Sequence, residues 1–452
     1  MSSNEQSEPK KDRSLEGYRG HALKLLKLAQ ALIGSKIEVR TSDGFETTGL
    51  LIPRYEHADE NHIVLKIKSG YNLGVDASSV SSISVLEQPR AAAEDIVPFI
   101  SSKTERKVLL LSTGGTIASK VDYRTGAVHP ALSAEDLYVA VPELGEISKI
   151  KPEVIFSTYS ENLAPLHWQK LAERISDSQA DEEIDGIVVM LGTDTLAYVS
   201  AALSFALLGL EIPVVCVGSQ RSSDRPSSDS ALNLKAAVRF AAHSKANGVY
   251  VAMHMDVSDD TVAVHLGTRV RKNHTSRRDA FESIDVPVVA DVKGSEIYFP
   301  TRQIVLSERV QIDDSLKLKT KFEPRASLVK FHPGFDPEVL GYLESRGSKG
   351  LVIEGTGLGH VSSQTVAKIA DLSKKGVFVG ITSQCIWGRV DLNVYDTGRD
   401  LLNAGAIPLE DVIAETALAK LSWALGNFPR DMVDEIMKRN LAGESTSRTL
   451  PK

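Results

Sequence analysis

The chain has 452 residues, 42% of them hydrophobic and 25% charged, with a formal net charge of −7 at pH 7. That length exceeds one ordinary core and predicts two or three domains of globular composition. The acidic balance excludes bulk electrostatic trapping of nucleic acid, so any contact with RNA must be local or made by a partner.

Residues 1–18 are polar and charged, without an apolar stretch, and read as a flexible tail with no signal peptide. Ala22, Leu25, Leu26, Ala29, Leu32 and Ile33 recur at helical spacing until Gly34-Ser35 breaks the pattern. From Lys36 to Glu87 the pattern turns to short strands, with hairpin chemistry at Ser42-Asp43-Gly44. A leading helix and several short strands predict a small β-barrel domain over 19–88, followed by a linker over 89–106 that holds Pro89 and Pro98.

From Lys107 the strands become continuous apolar runs: Val108–Leu111, Gly186–Leu191, Pro213–Val217 and Val249–Ala252. Helical segments at Pro165–Ile175, Ala197–Leu208 and Ser230–Ala242 separate them. Strand–helix alternation of this kind predicts an α/β domain over 107–306 with a parallel sheet covered on both faces. A connector over 307–324 leads to a second α/β domain over 325–440, with strands at Gly350–Glu354 and Val377–Ile381 and helices near Ser363–Leu372 and Val412–Leu425. A tail over 441–452 closes the chain. Cys216 and Cys385 lack Cys-x-x-Cys spacing, which argues against a disulfide framework or structural zinc and reads as reduced core thiols. No apolar run approaches the roughly 20 residues that cross a bilayer, so a cytoplasmic protein is expected.

In parallel sheets ligands bind beyond the carboxyl ends of the strands. The first apolar strand runs into Thr113-Gly114-Gly115-Thr116. Two glycines there let backbone approach a ligand and free amide groups as an anion cradle. The Lys-Ser/Thr of a phosphate loop and the fuller glycine spacing of a dinucleotide loop are both absent. Two hydroxyls beside a glycine turn remain, and a hydroxyl nucleophile needs a base and oxyanion donors. After another strand, Gly192-Thr193-Asp194-Thr195 places a hydroxyl beside a carboxylate. Taken alone, Asp194 reads equally as a helix N-cap.

Together the two loops resemble the TGGTIA and GTDT motifs of the bacterial-type asparaginases, and the order of motifs from Lys107 to about Leu425 follows that family. The resemblance implies a two-domain asparaginase-like fold, with Thr116 as nucleophile and Thr193, Asp194 and Lys272 as its catalytic companions. Lys272 matches the family lysine, with Phe281 at the expected spacing; as a plain sequence feature it belongs to a basic cluster running from Arg269 to Arg278. The resemblance further implies an acyl-threonine intermediate, ammonia release, and an oxyanion hole near Gly115 and Thr193. Ser160 matches the serine that binds the substrate's α-carboxylate, and Glu161 stands where the family contacts the substrate amine; helix capping is the other reading of Ser160 and Asn162. Tyr123 lies in the segment of the family's lid tyrosine, and reads equally as a surface tyrosine. The glycine-rich Glu354–His360 loop matches one that the family brings to a dimer-shared active site. His254 reads as structural.

About 100 residues precede the first threonine loop. That arrangement resembles the GatD family, the asparaginase-like subunits of archaeal glutamyl-tRNA(Gln) amidotransferases. It implies release of ammonia from glutamine or asparagine for a GatE-like partner, which binds the tRNA and uses ATP with Mg2+ to form Gln-tRNA(Gln). It also implies indirect contact with tRNA through the partner, no cofactor in this subunit, and a homodimer inside a larger heterotetramer. Two alternatives stand beside it: a free-standing cytoplasmic L-asparaginase with an accessory domain, and an RNA-binding module with an inert α/β part.

Overall fold

The computed structural model describes residues 15, 17–54, 59–67, 72–88, 104–114, 119–121, 128–130, 141, 143–178, 183–222, 227–300 and 312–448. The expected 1–18 tail and 89–106 linker lie mostly outside them. Among the described residues, no helix is long and apolar enough to cross a membrane.

The N-terminal unit follows the strand pattern: β1 (Lys36–Thr41), β2 (Glu46–Leu51), β3 (His62–Ile67), β4 (Asn72–Asp76) and β5 (Val80–Glu87). They pair antiparallel in the order β4-β3-β2-β1-β5. The outer strands β4 and β5 are joined only by the turn Ala77–Ser79. Four peptide steps span at most about 14 Å, whereas outer strands of a flat five-stranded sheet lie about 19 Å apart. The sheet must therefore curl toward closure, and register shifts in β1 against β5 at Lys36/Ile37 and Arg40/Thr41 supply the bending. Ile37, Val39, Leu51, Ile63 and Leu65 fill the inside, and Ala22 and Leu26 of the helix Gly20–Leu28 join them. The helix stops short of the expected Ile33 because Gln30 takes a left-handed φ of 56°.

The next unit is built on β6 (Lys107–Ser112), β9 (Lys149–Val154), β10 (Gly186–Met190), β11 (Pro213–Val217) and β12 (Gly248–His254); β7 (Ser119–Val121) and β8 (Val128–Pro130) form a separate hairpin. The five main strands are parallel, in the order β12-β11-β10-β6-β9. Their apolar runs are continuous because both faces are covered. Leu109, Leu111, Ile187 and Val189 face the helices Pro165–Asp177 and Leu196–Ala206, while Val108, Leu110, Val188 and Met190 face the helix Ser230–His243. Strands β13 (Val262–Leu266), β16 (Ala290–Lys293) and β17 (Glu296–Tyr298) extend the sheet antiparallel beyond β12. The expected parallel sheet is thus the main part of a mixed one: β12–β13 and β16–β17 pair as hairpins across short returns, while β16 reaches β13 only after a longer excursion. Strands β14 (Val270–Lys272) and β15 (Phe281–Ser283) form a hairpin of their own.

In the last unit, β18 (Ala326–Lys330), β19 (Gly350–Gly355), β20 (Phe378–Ser383) and β21 (Ile407–Pro408) are parallel and neighbours in that order. Leu340, Ile369 and Leu401, from three helices, cover one face. The helix Ala414–Asn427 covers the other and packs on Leu196–Ala206 of the preceding unit, so Trp423 and Phe205 stack with centroids 5.7 Å apart in a shared core. Cys216 is a core thiol pushed up to about 12 by burial, but Cys385, expected in the core, is exposed on the loop after β20.

The expected tail at 441–452 is not free through Arg448. Leu441, Ala442 and Glu444 are buried, and Glu444 pairs with the buried Lys420 at 2.6 Å. Burial pushes the Lys420 ammonium down in pKa against the opposing pull of Glu444. Removing one partner strands the other charge: Glu444→Leu is expected to cost about 3–5 kcal/mol, and Lys420→Met combined with Glu444→Leu should cost less than the two single changes summed while still leaving the Leu441 and Ala442 amides without their acceptor, all read by urea denaturation.

Candidate active site

The chain after β6 turns inward. The Thr113 amide and hydroxyl both donate to the Met190 carbonyl at 3.0 Å, so this hydroxyl is committed to the neighbouring strand. Gly114 has a φ of 97°, and a Cβ there would lie 2.6 Å from the Thr158 carbonyl oxygen and 2.7 Å from its nitrogen. Only glycine fits that approach. The Thr158 amide donates to the Thr113 carbonyl at 3.2 Å, which seats the 157–162 loop on the glycine turn. Gly115, Thr116 and Tyr123 lie outside the described residues.

At the end of β10, Thr193 is 6% exposed while the Asp194 side chain is 69% exposed. Asp194 does not cap the helix that follows. Thr195 holds the N-cap position without a side-chain capping bond, and its hydroxyl donates instead to the Ser160 carbonyl at 2.7 Å. The Asp194 carboxylate meets Lys272, whose ammonium lies 2.7 Å from Asp194 Oδ1 and donates to Thr193 Oγ1 at 2.9 Å. The Lys272 side chain is only 13% exposed. It ends β14, opposite the buried Phe281 of β15. The rest of the basic cluster goes elsewhere: Arg271 pairs with Glu415, Arg277 with Asp279 and Arg278 with Asp259, and Arg269 is buried. Lys272 is therefore set apart from its sequence neighbours by where its charge is spent.

Ser160 is buried and opens a short turn, Ser160–Asn162, while Glu161 beside it is exposed. Neither Ser160 nor Asn162 caps the next helix. Ala164 is its N-cap, with His167 Nδ1 accepting from the Ala164 amide at 3.0 Å. The Thr195–Ser160 bond ties this loop to the strand end that carries Thr193 and Asp194. Three separated loops thus meet around Lys272, Thr193 and Asp194.

The Glu354–His360 loop is folded on itself. A backbone bridge joins Thr356 to His360, and a Cβ on Gly359 would press on Ile381 and Val390 at 2.9 Å. Gly355 and Gly359 serve close packing there, and Gly357 serves the turn with a left-handed φ of 53°. His254 is buried, its Nδ1 2.6 Å from Asn233 Oδ1, and burial lowers its pKa, in keeping with a structural role.

Gly218 and Thr195 shape the site but belong to none of the roles that sequence reasoning assigns. Gly218 follows an apolar strand as Gly114 and Gly192 do, and that placement is the signal that could have found it. A Cβ on Gly218 would stand 2.7 Å from Thr193 Cγ2 and 2.9 Å from the Leu191 carbonyl oxygen. Gly218→Ala is therefore expected to push Thr193 off Lys272 and to cost about 1–3 kcal/mol by overpacking, checked by denaturation and a crystal structure of the variant.

Known proteins are similar to this chain in all three of its units. Residues 107–305 match the family model described as asparaginase, N-terminal; residues 325–437 match the glutaminase/asparaginase C-terminal domain, and residues 31–86 the GatD N-terminal domain. The GatD subunit of the glutamyl-tRNA(Gln) amidotransferase of Sulfurisphaera tokodaii is 43% identical over 445 residues, 97% of either chain. The protein of that name from Metallosphaera sedula is 45% identical over 440 residues, 96% of this chain and 97% of its own. Among solved structures, the thermostable L-asparaginase from Thermococcus kodakarensis matches with a TM-score of 0.65 and 35% identity, over 76% of this chain and 100% of its own. A probable cytoplasmic L-asparaginase from Campylobacter jejuni matches with a TM-score of 0.63 and 27% identity, over 74% of this chain and 99% of its own. An asparaginase-like pair of α/β units behind a curled N-terminal sheet, related along nearly its whole length to these subunits, means that the chain belongs to the GatD family of glutamyl-tRNA(Gln) amidotransferase subunits.

Proposed function

We propose that the chain hydrolyses the side-chain amide of glutamine or asparagine through Thr116 and that the ammonia serves a partner subunit forming Gln-tRNA(Gln). The observation that carries this reading is the Lys272 ammonium held between Thr193 Oγ1 and Asp194 Oδ1, at the strand end beside the Thr113-Gly114 turn.

In the first half-reaction the Thr116 hydroxyl attacks the amide carbon, and its proton passes by way of Thr193 to a neutral Lys272. The tetrahedral oxyanion takes hydrogen bonds from donors near Gly115 and Thr193. On collapse, the C–N bond breaks, the leaving nitrogen takes the proton back, and ammonia departs from an acyl-threonine ester. In the second half-reaction water attacks that ester with Lys272 again as base, freeing the amino-acid product and the Thr116 hydroxyl. The nearly buried side chain of Lys272, fixed at its tip by Thr193 and Asp194, supports this role.

The remaining groups grip the amino-acid head. Asp194 faces solvent with most of its surface and suits the α-ammonium, Ser160 the α-carboxylate, and Glu161 a second contact to the amine. Tyr123 is assigned to the segment that closes over the substrate. No cofactor enters these steps in this subunit; ATP and Mg2+ belong to the partner, a GatE-like protein that also binds the tRNA. A homodimer within a heterotetramer, working in the cytoplasm, completes the proposal. The nearly buried Lys272 bonded to Thr193 disfavours an inert α/β part.

The test is ammonia release by the purified chain and by its complex with the partner. Thr116→Val, Thr193→Val and Lys272→Leu should each lower turnover by at least about 100-fold with the fold intact, the scale of a lost nucleophile or proton acceptor. Near-native turnover in folded variants would sink the mechanism. Absence of a stable complex with the GatE-like partner, or glutaminase activity indifferent to Glu-tRNA, would sink the role in tRNA-linked amidation.

A further inference from the structure

Lys272 rides on a short hairpin. Among the described residues, strands β14 and β15 pair only with each other, and a two-stranded hairpin without further support is marginal in water. Val270, Ala280 and Phe281 pack one side of it on the main core, and the position of the ammonium also depends on what fixes the base of the hairpin, Thr268 and Arg269. Both are fully buried.

Their partners come from far along the chain. The Thr268 hydroxyl donates to the Ala442 carbonyl at 3.1 Å, and the Thr268 carbonyl accepts from the Thr416 hydroxyl at 2.8 Å. Arg269 donates through Nε to the Gly443 carbonyl at 3.1 Å and through Nη2 to Asp411 Oδ2 at 2.9 Å. Asp411 in turn accepts from the Thr446 amide at 3.0 Å, so one buried carboxylate holds both Arg269 and the 440–448 segment. The segment itself is locked from behind. Glu444 accepts from the Leu441 and Ala442 amides and from Lys420, and all of these groups are buried. Two buried ion pairs are a poor device for raw stability, because desolvation offsets most of the attraction, and a better one for fixing a register. This segment also lies beyond residues 325–437, the part matched as the asparaginase-type C-terminal domain.

We propose that residues 440–448 are a strap that positions Lys272 for amide hydrolysis, acting through Thr268 and Arg269 at the base of the β14–β15 hairpin. The assignment rests on the reading of Lys272 as the base. Thr268, Arg269 and Thr446 are positioning residues: they touch the hairpin or the strap, not the substrate. The strap makes the catalytic geometry depend on the last unit of the chain, so a shift of that unit against the first is felt at the ammonium.

The experiment measures kcat, KM and the pH profile of ammonia release from glutamine and asparagine, with the full chain carrying Thr268→Val, Thr268→Ser, Thr446→Val or Thr446→Ser, beside Lys272→Met. None of the threonine changes leaves a buried charge unpaired. A displacement approaching 1 Å at a reacting group costs on the order of 100-fold, so a partial one in the valine variants should lower kcat about tenfold or more, with KM within about twofold, and move the acidic limb of the kcat profile. The serine variants, which keep the hydroxyl, should recover kcat to within about twofold. Two sites are used so that one remains decisive if the other destabilises the chain; melting temperatures identify a folding defect. Wild-type kcat and pH profile in the folded valine variants, beside an inactive Lys272→Met, overturn the strap alone. A fully active Lys272→Met overturns the base assignment and the strap with it.

Discussion

The site depends on one buried-edge interaction between residues nearly 80 positions apart: the Lys272 ammonium on Thr193 and Asp194. A flexible four-carbon chain ending in a strongly hydrated point charge is a poor element to place by itself. It is useful only where packing removes its freedom and a carboxylate and a hydroxyl fix its tip. Phe281 opposite Lys272 in the hairpin and the close approach of Gly218 to Thr193 supply that confinement. Asp194 remains open to solvent, which leaves room for the cationic head of an amino acid. The same carboxylate can therefore orient the lysine and receive the substrate.

The larger architecture serves to bring strand ends together. Parallel strands buried on both faces end along one edge of the sheet, and the chain leaves that edge through glycines that tolerate close backbone approach. Gly114 sits on Thr158, and Thr195 ties that same loop, at Ser160, to the end of β10. The two α/β units are not independent bodies joined by a tether. The helix Ala414–Asn427 closes the last sheet and packs on the helix that begins at Leu196, directly after Thr193-Asp194-Thr195. Packing in the last unit and chemistry in the first are thereby mechanically linked.

Much of this is legible in the sequence because it follows from strong local signals. Short continuous runs such as Val108–Leu111 and Pro213–Val217, bounded by polar and turn residues, read as strands buried on both faces, and the threonine, glycine and aspartate loops fall where such strands end. The short strands β13, β16 and β17 escape a sequence reading, because their pairing is decided by where the chain returns, across a long excursion between β13 and β16, rather than by periodicity. The 441–448 segment reads as a tail: Gly443, Glu444 and Ser445 are polar or small, and nothing local shows that Glu444 finds Lys420 or that Asp411 finds Arg269. Buried ion pairs are long-range facts. For the same reason Lys272 cannot be told from Arg277 or Arg278 by composition, only by where each charge is satisfied. Cys385 lies outside the core against expectation because a hydrophobic residue type says little on a loop after the end of a strand.

On the proposed mechanism Thr116, rather than the neighbouring Thr113, forms the acyl intermediate. The Thr113 hydroxyl already donates to the Met190 carbonyl, which leaves it ill placed to attack. Treating the full chain with a diazoketone analogue of glutamine and mapping the covalent adduct by peptide mass spectrometry tests this directly. A single adduct on Thr116 is expected, absent in Thr116→Val and blocked by excess glutamine or asparagine. A glutamine-protected adduct on Thr113, or on any residue outside the Thr113–Thr116 loop, would contradict it.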